Sequence, residues 1–241
     1  MRSFVTMVCL LVGLPVVAPQ NALLAGRGDE VKGSDGPAPA NPALHDELLK
    51  MGTTDQEYRA ILQNQFIKSP PKPGTPPSQE MLDLVRKQQQ ADAANIKRLE
   101  EIIHQHGWPG KSLVGEDAST SAFLIIQHAE LKVQQKYLPM LKRAASEGEA
   151  KPDEVAMLED RVLMREGKKQ LYGTQLHAGP ETNGKLVLYP IEDEPNVDKR
   201  RASVGLGPIA EYVKQFNVVY HSPGATTVPA QTRPATQPNH R

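Results

Sequence analysis

A single cysteine in 241 residues leaves no partner for an intramolecular disulfide and no set for a cysteine-rich zinc site. An excess of either charge is missing too: 28 Lys+Arg stand against 28 Asp+Glu. With a pI near 7.1, the chain shows no electrostatic footprint for nucleic acid or for an anionic membrane. The familiar catalytic signatures are also absent. There is no G-x-S-x-G elbow, no H-E-x-x-H pair, no phosphate loop and no dinucleotide fingerprint. No cofactor and no metal site is expected. His104 and His106 flank Gln105 at a helix end, where i and i+2 rings diverge by about 200°, too far to share a metal.

What is present begins with an export pattern. Arg2 is the one charge before an apolar run, Phe4 to Ala18, interrupted by Gly13 and Pro15. The run is about 15 residues, short of the roughly 20 a spanning helix needs. Residues 1–26 are therefore expected to be a signal peptide, with Ala22, Ala25 and Gly26 as small residues near the cut, and the mature protein to be periplasmic or extracellular without a membrane span. Cys9 lies within the run and so would be removed, and an oxidising compartment would neither harm the mature chain nor staple it.

Residues 27–41, rich in Gly, Asp, Pro and Ala, read as a disordered spacer, and 221–241, rich in Pro, Thr, Gln and Ala, as a disordered tail. The 21 prolines fall heavily in such stretches. Between the tails lies one domain, residues 42–220, long enough to bury roughly 70% of its unfolded surface.

Its pattern is mainly helical. Helices are expected over 43–50 and 55–66, then, after a proline-rich break, from the N-cap Ser78 to about Gln105. Gly107-Trp108-Pro109-Gly110 stops that helix. The next starts near Asp117 or Ser119 and is apolar around its whole circumference from Ala122 to Ile126, the mark of a buried helix. Helices over 133–146, with Pro139 as a kink or restart, and from the cap Asp153 to Arg165 follow. Runs 170–176 and 185–191 change period and read as a small hairpin or two extended arms. Asn196 caps a short helix carrying Lys199, Arg200 and Arg201, and Pro208 opens a last one to about Phe216.

Several motifs accumulate in order along this body. They are Glu47-Leu48-Leu49-Lys50-Met51 with Asp55 and Arg59; Asp92 and Asn95; Gly107-Trp108-Pro109; Gln127-His128-Ala129; Leu158-Glu159-Asp160-Arg161; Gln170 with Tyr172-Gly173-Thr174-Gln175; and Arg200-Arg201 with Val204-Gly205-Leu206. Together they make the chain resemble the bacterial domain-of-unknown-function family numbered 6624, over about 44–212. Glu130 stands where that family more often has Asp, which keeps the carboxylate. The resemblance implies a compact, mostly helical, often exported domain, and implies no activity.

The candidate site gathers polar residues at positions where helix geometry expects hydrocarbon. His128 projects between the directions of Leu124 and Ile125, and Arg161 between those of Met157 and Leu158. In one reading, a pocket binds a small polar or anionic ligand. His128 is then a general acid/base oriented by Asp92 or Asp160, in hydrolase or transferase chemistry or in binding without turnover. Arg161 with Arg200 or Arg201 holds the anionic group, and Gln127, Gln170, Tyr172, Gln175 and Asn95 complete the lining. In the other, the cluster serves only the fold of a structural or interaction domain whose partner is a protein, with Asp160 or Asp92 paired to a buried arginine.

Overall fold

The computed structural model describes residues 38–68, 75–178, 182 and 184–220. The expected signal peptide, most of the spacer and the C-terminal tail lie outside the described residues. The fold is mainly helical, with a small two-stranded antiparallel sheet. In chain order the elements are α1 (Pro42–Lys68), α2 (Gln79–His106), the single turn α3 (Lys111–Val114), α4 (Glu116–His128), α5 (Leu131–Ser146) and α6 (Pro152–Arg165). Then come β1 (Leu176–His177), β2 (Val187–Leu188), a 3-10 turn Glu194–Asn196, α7 (Val197–Ser203) and α8 (Ile209–Lys214). Among the described residues no helix is long and apolar enough to cross a membrane.

The apolar α4 sits at the centre, as its all-round hydrophobicity requires, against α1, α2, α3 and α5. Phe123 and Ile126 from α4 join Leu48, Leu99, Ile102, Leu141 and Leu158 in one core. A second, smaller core of Ile191, Val197, Ile209 and Val213 closes the C-terminal end.

Several expected boundaries and caps are corrected. The first two helices are one: α1 runs unbroken through Met51–Thr54. Gly52 is not a break but a close approach, since a Cβ there would lie 2.6 Å from Ser121 Oγ of α4. Thr53 and Thr54 turn their hydroxyls back to the carbonyls of Leu49 and Lys50, which lets them sit mid-helix. Likewise α5 begins at Leu131 and passes through Pro139 without restarting. Elsewhere Ser78 caps α2 by accepting from Met81 N at 3.2 Å, and Gly107 ends it at φ 75°. Asp153 does not cap α6: Lys151 holds that position, with Pro152 in the first turn. Asn196 makes no side-chain cap to α7; its amide donates to the Asp193 carboxylate.

The irregular segment after α6 is pinned by side chains rather than by a sheet. β1 and β2 pair Leu176 with Leu188 and His177 with Val187, and one parallel bridge joins Gln170 to Ile191. Gly173 takes φ 68°, and a Cβ there would lie 2.4 Å from Ile209 Cδ1. Only glycine both adopts this turn and lets it rest on the second core.

Candidate functional site

The polar residues singled out by the sequence separate into two adjoining groups, on either side of the neighbours Asp160 and Arg161 of α6.

The first group is built where α1, α2 and the end of α4 meet. On α1, Leu44, Leu48 and Met51 face the core, and the same stripe continues through Asp55, Arg59 and Leu62. Asp55 is therefore carried inside, 1% exposed. His128 Nδ1 lies 2.7 Å from Asp55 Oδ2, and its side chain is 4% exposed. Burial works to raise the Asp55 carboxyl, but His128 and Arg59 outweigh it and its pKa falls below the ordinary value. An ionised carboxylate only accepts, so Nδ1 carries the proton and Nε2 presents a lone pair. Burial, then the charges of Arg59 and Arg161, lower the His128 pKa against the opposing pull of Asp55, so the ring is neutral at pH 7.

Arg59 gathers both acids. Its Nη2 reaches Asp92 Oδ1 at 2.5 Å and Asp55 Oδ1 at 3.5 Å. Gln88 of α2 donates to Asp92 Oδ1 at 2.7 Å. Burial, with the neighbouring Asp55 charge adding, still raises the Asp92 pKa. Asn95, one turn on, donates to the Met51 carbonyl at 3.1 Å and serves the α1 backbone. The orienting acid of His128 is thus Asp55, not Asp92 or Asp160, while Asp92 does pair with a buried arginine.

Arg161 completes this group. It is 3% exposed, and among the described residues it makes no ion pair. Its protein partner is the neighbouring amide: with Gln127 oriented oxygen-inward, Oε1 accepts from Arg161 Nε at 2.9 Å and Nη2 at 3.1 Å. The charges of Arg165 and Arg59 bear on it unfavourably, and Tyr212 favourably. Burial, then Arg165 and Arg59, push its pKa down to about 9, so it remains charged at neutral pH. Arg165 itself donates to the Ala129 carbonyl at 3.0 Å, beyond the last turn of α4, and to Gln134 Oε1 at 3.2 Å.

The second group is a latch. Asp160, fully buried, accepts from Leu171 N at 2.7 Å, Tyr172 N at 3.0 Å, Thr174 N at 3.0 Å and Thr174 Oγ1 at 2.9 Å. Burial raises its pKa against these donors. Gln170 donates to the carbonyls of Gln175 and Tyr189 and accepts from Gln175 N, while Gln175 donates to Thr174 Oγ1 and the Met157 carbonyl. Arg201, 1% exposed, donates to the carbonyls of Gly207 and Tyr172 and lies over the Tyr212 ring. The Tyr212 hydroxyl donates to the Thr174 carbonyl at 2.7 Å. Arg200, half-exposed, ties the carbonyls of Leu171, Glu192 and Asp193 to the Asp193 carboxylate. Asp160, Gln170, Gln175, Arg200 and Arg201 all find protein partners, and Tyr172 contributes its backbone.

A cavity of about 340 Å³ lies apart from both groups, between α5 and α6, lined by Leu138, Pro139, Val162 and Leu163 with Glu159, Glu166 and Gln135 at its edge. Among the described residues no cluster of His, Cys, Asp or Glu is placed to hold a metal ion.

Residues 42–222 match the family model described as a family of unknown function, DUF6624. The chain belongs to this family. No curated protein and no solved structure matches. The polar interior just described is thus that of a DUF6624 domain, and its chemistry is read from its own residues.

Proposed function

We propose that the domain binds a small anion at the C-terminal end of α4, against Arg161 and His128, with the His128–Asp55 pair as its acid–base element. One observation carries this reading: Arg161 is a buried cation answered by a neutral amide, with no ion pair among the described residues and with Arg165 and Arg59 near it. Taking an ion out of water costs several kcal/mol, and proteins rarely leave one unneutralised. An entering anion would supply the missing charge. The neutral ring of His128, held by a carboxylate on one nitrogen, has the form of a general base on the other. Hydrolase or transferase chemistry with His128 exchanging the proton is the catalytic version of this reading.

The test is a thermal-shift panel of phosphate, sulfate, carboxylates and wall fragments against chloride at equal ionic strength. An anion at 100 times its Kd adds about 2.7 kcal/mol, roughly 5–10 °C for a domain of this size. No shift beyond that of chloride would remove the reading.

A second reading, a non-enzymatic structural or interaction domain, is favoured by the Asp160 group, where polar side chains close on one another and on backbone. Asp160, Gln170, Gln175, Arg200 and Arg201 are accordingly assigned to the fold, and the ligand site is narrowed to Asp55, Arg59, Gln127, His128 and Arg161. We also propose export to the periplasm or the outside of the cell, on the Arg2 and Phe4–Ala18 pattern. Mass spectrometry of the exported fraction should find a chain starting near residue 27; a cytosolic chain retaining Met1 would refute it.

A further inference from the structure

The anion site makes a demand on the ligand's own hydrogens. The Asp55 carboxylate holds the Nδ1 proton, so Nε2 on the other edge of the His128 ring can only accept. Among the described residues no protein donor meets Nε2. Arg161 is the opposite case. Two of its five N–H groups are spent on Gln127, and the rest have no protein acceptor among the described residues. Side-chain atoms sealed from solvent without a partner include Gln88 Oε1 and Trp108 Nε1, and neither His128 Nε2 nor Arg161 Nη1 is among them. The two groups lie near enough that the Arg161 charge bears on the His128 ring, so one small ligand between them would face an acceptor and a set of cationic donors. An anion spanning the two with oxygens alone would satisfy Arg161 but set a lone pair against that of Nε2.

We propose that this site selects an oxyanion that keeps a hydrogen at neutral pH, of the hydrogen phosphate type, over a fully deprotonated one of the same shape, because Arg161 donates to its oxygens while His128 Nε2 accepts from its hydroxyl. The inference rests on the anion-site reading above and adds to it the protonation state of the ligand. Sulfate and phosphate are nearly equal in size, so the distinction falls on the hydrogen. A buried acceptor left unpaired is what makes a site reject the analogue that lacks the donor.

The experiment is calorimetric titration of the full chain at pH 8 with inorganic phosphate, sulfate and methyl phosphate. At that pH methyl phosphate has lost the hydrogen from its phosphoryl oxygens and separates free phosphate from a phosphomonoester. Phosphate should bind at least about tenfold more tightly than either of the others. In His128→Gln, whose side-chain amide donates as well as accepts, the preference should shrink to about twofold. If that variant does not fold, the wild type decides. Titrations in two buffers of different ionisation enthalpy should show about one proton taken up with sulfate, which forces a proton onto Nε2, and close to none with phosphate. Equal affinity for all three, lost in Arg161→Gln, would overturn the selectivity and leave the anion site standing. No binding of any of them would overturn the anion site itself.

Discussion

Asp160→Asn is the sharpest probe of the latch behind α6. The carboxylate takes Leu171 N and Tyr172 N on one oxygen, and Thr174 N and Thr174 Oγ1 on the other. An asparagine keeps one oxygen and turns an NH2 toward two donors. The Thr174 hydroxyl can rotate to accept from it, but the Thr174 amide cannot. The variant thus loses two charge-assisted bonds and leaves one buried N–H without an acceptor. With unpaired buried donors at about 1–3 kcal/mol and charge-assisted bonds near the upper end, the net loss is about 3 kcal/mol. For a domain of this length that lowers Tm by roughly 6–12 °C. Calorimetry gives the Tm, and amide exchange gives the place: Leu171, Tyr172 and Thr174 should lose protection before the α4 core does. A Tm within about 2 °C of wild type, or unchanged protection at those three amides, would refute the latch.

Glu154 lies buried on α6, bonded to Thr120 Oγ1 at 2.7 Å, and burial lifts its pKa from 4.5 to about 7. The folded state therefore holds this proton more tightly than the unfolded one, and stability is lost as pH rises through that window. Glu154→Gln should be more stable above pH 7, by an amount on the order of 2–3 kcal/mol, and unchanged near pH 4, as read by urea titration; no gain above pH 7 would contradict the burial. His128 works in the other sense. With a folded pKa below 6.5, and Asp55, Arg59 and Arg161 facing it, the unfolded state gains the proton first as pH falls through 6.5, so stability drops there. His128→Asn should flatten the slope of Tm against pH between 7 and 5, and an unchanged slope would place the titration elsewhere. Gly52→Ala should cost about 2 kcal/mol by forcing α1 off Ser121, and Ser121→Gly added to it should recover part of that loss.

How the sequence discloses this arrangement differs between elements. The burial of α4 is legible because five apolar residues in succession leave a helix no wet face. The Asp55–His128 pair is legible only in hindsight of register. Leu48, Met51, Asp55, Arg59 and Leu62 keep the three- and four-residue steps of one stripe, so the polar pair at its centre had to go inside with the rest. Read by spacing alone, Asp55 and Arg59 are a helix-face i,i+4 pair, with nothing to say whether that face is wet or dry. Gln88 was hidden the same way, within the polar stretch from Arg86 to Gln90, yet it continues the spacing of Asp92, Asn95, Leu99 and Ile102 and is buried. What spacing could not supply is partner choice across helices. Asp160 is as buried as expected, but backbone amides only eleven to fourteen residues downstream reach it first, and nothing in helical periodicity announces an irregular loop folding back onto a carboxylate. The unbroken α1 is a similar case: nothing in the spacing of residues 51–54 shows that Gly52 lies against Ser121.

The claim on which the functional account rests is that Arg161 is held inside for a ligand rather than for the fold, and Arg161→Met tests it most directly. Melting should be followed with and without saturating phosphate. The ligand-free Tm should fall by no more than the equivalent of about 1–3 kcal/mol, the cost of leaving Gln127 Oε1 without its two donors, while the phosphate shift disappears. A ligand-free loss of about 3–5 kcal/mol with the phosphate shift intact would contradict it, and would return Arg161 to the architecture of the core.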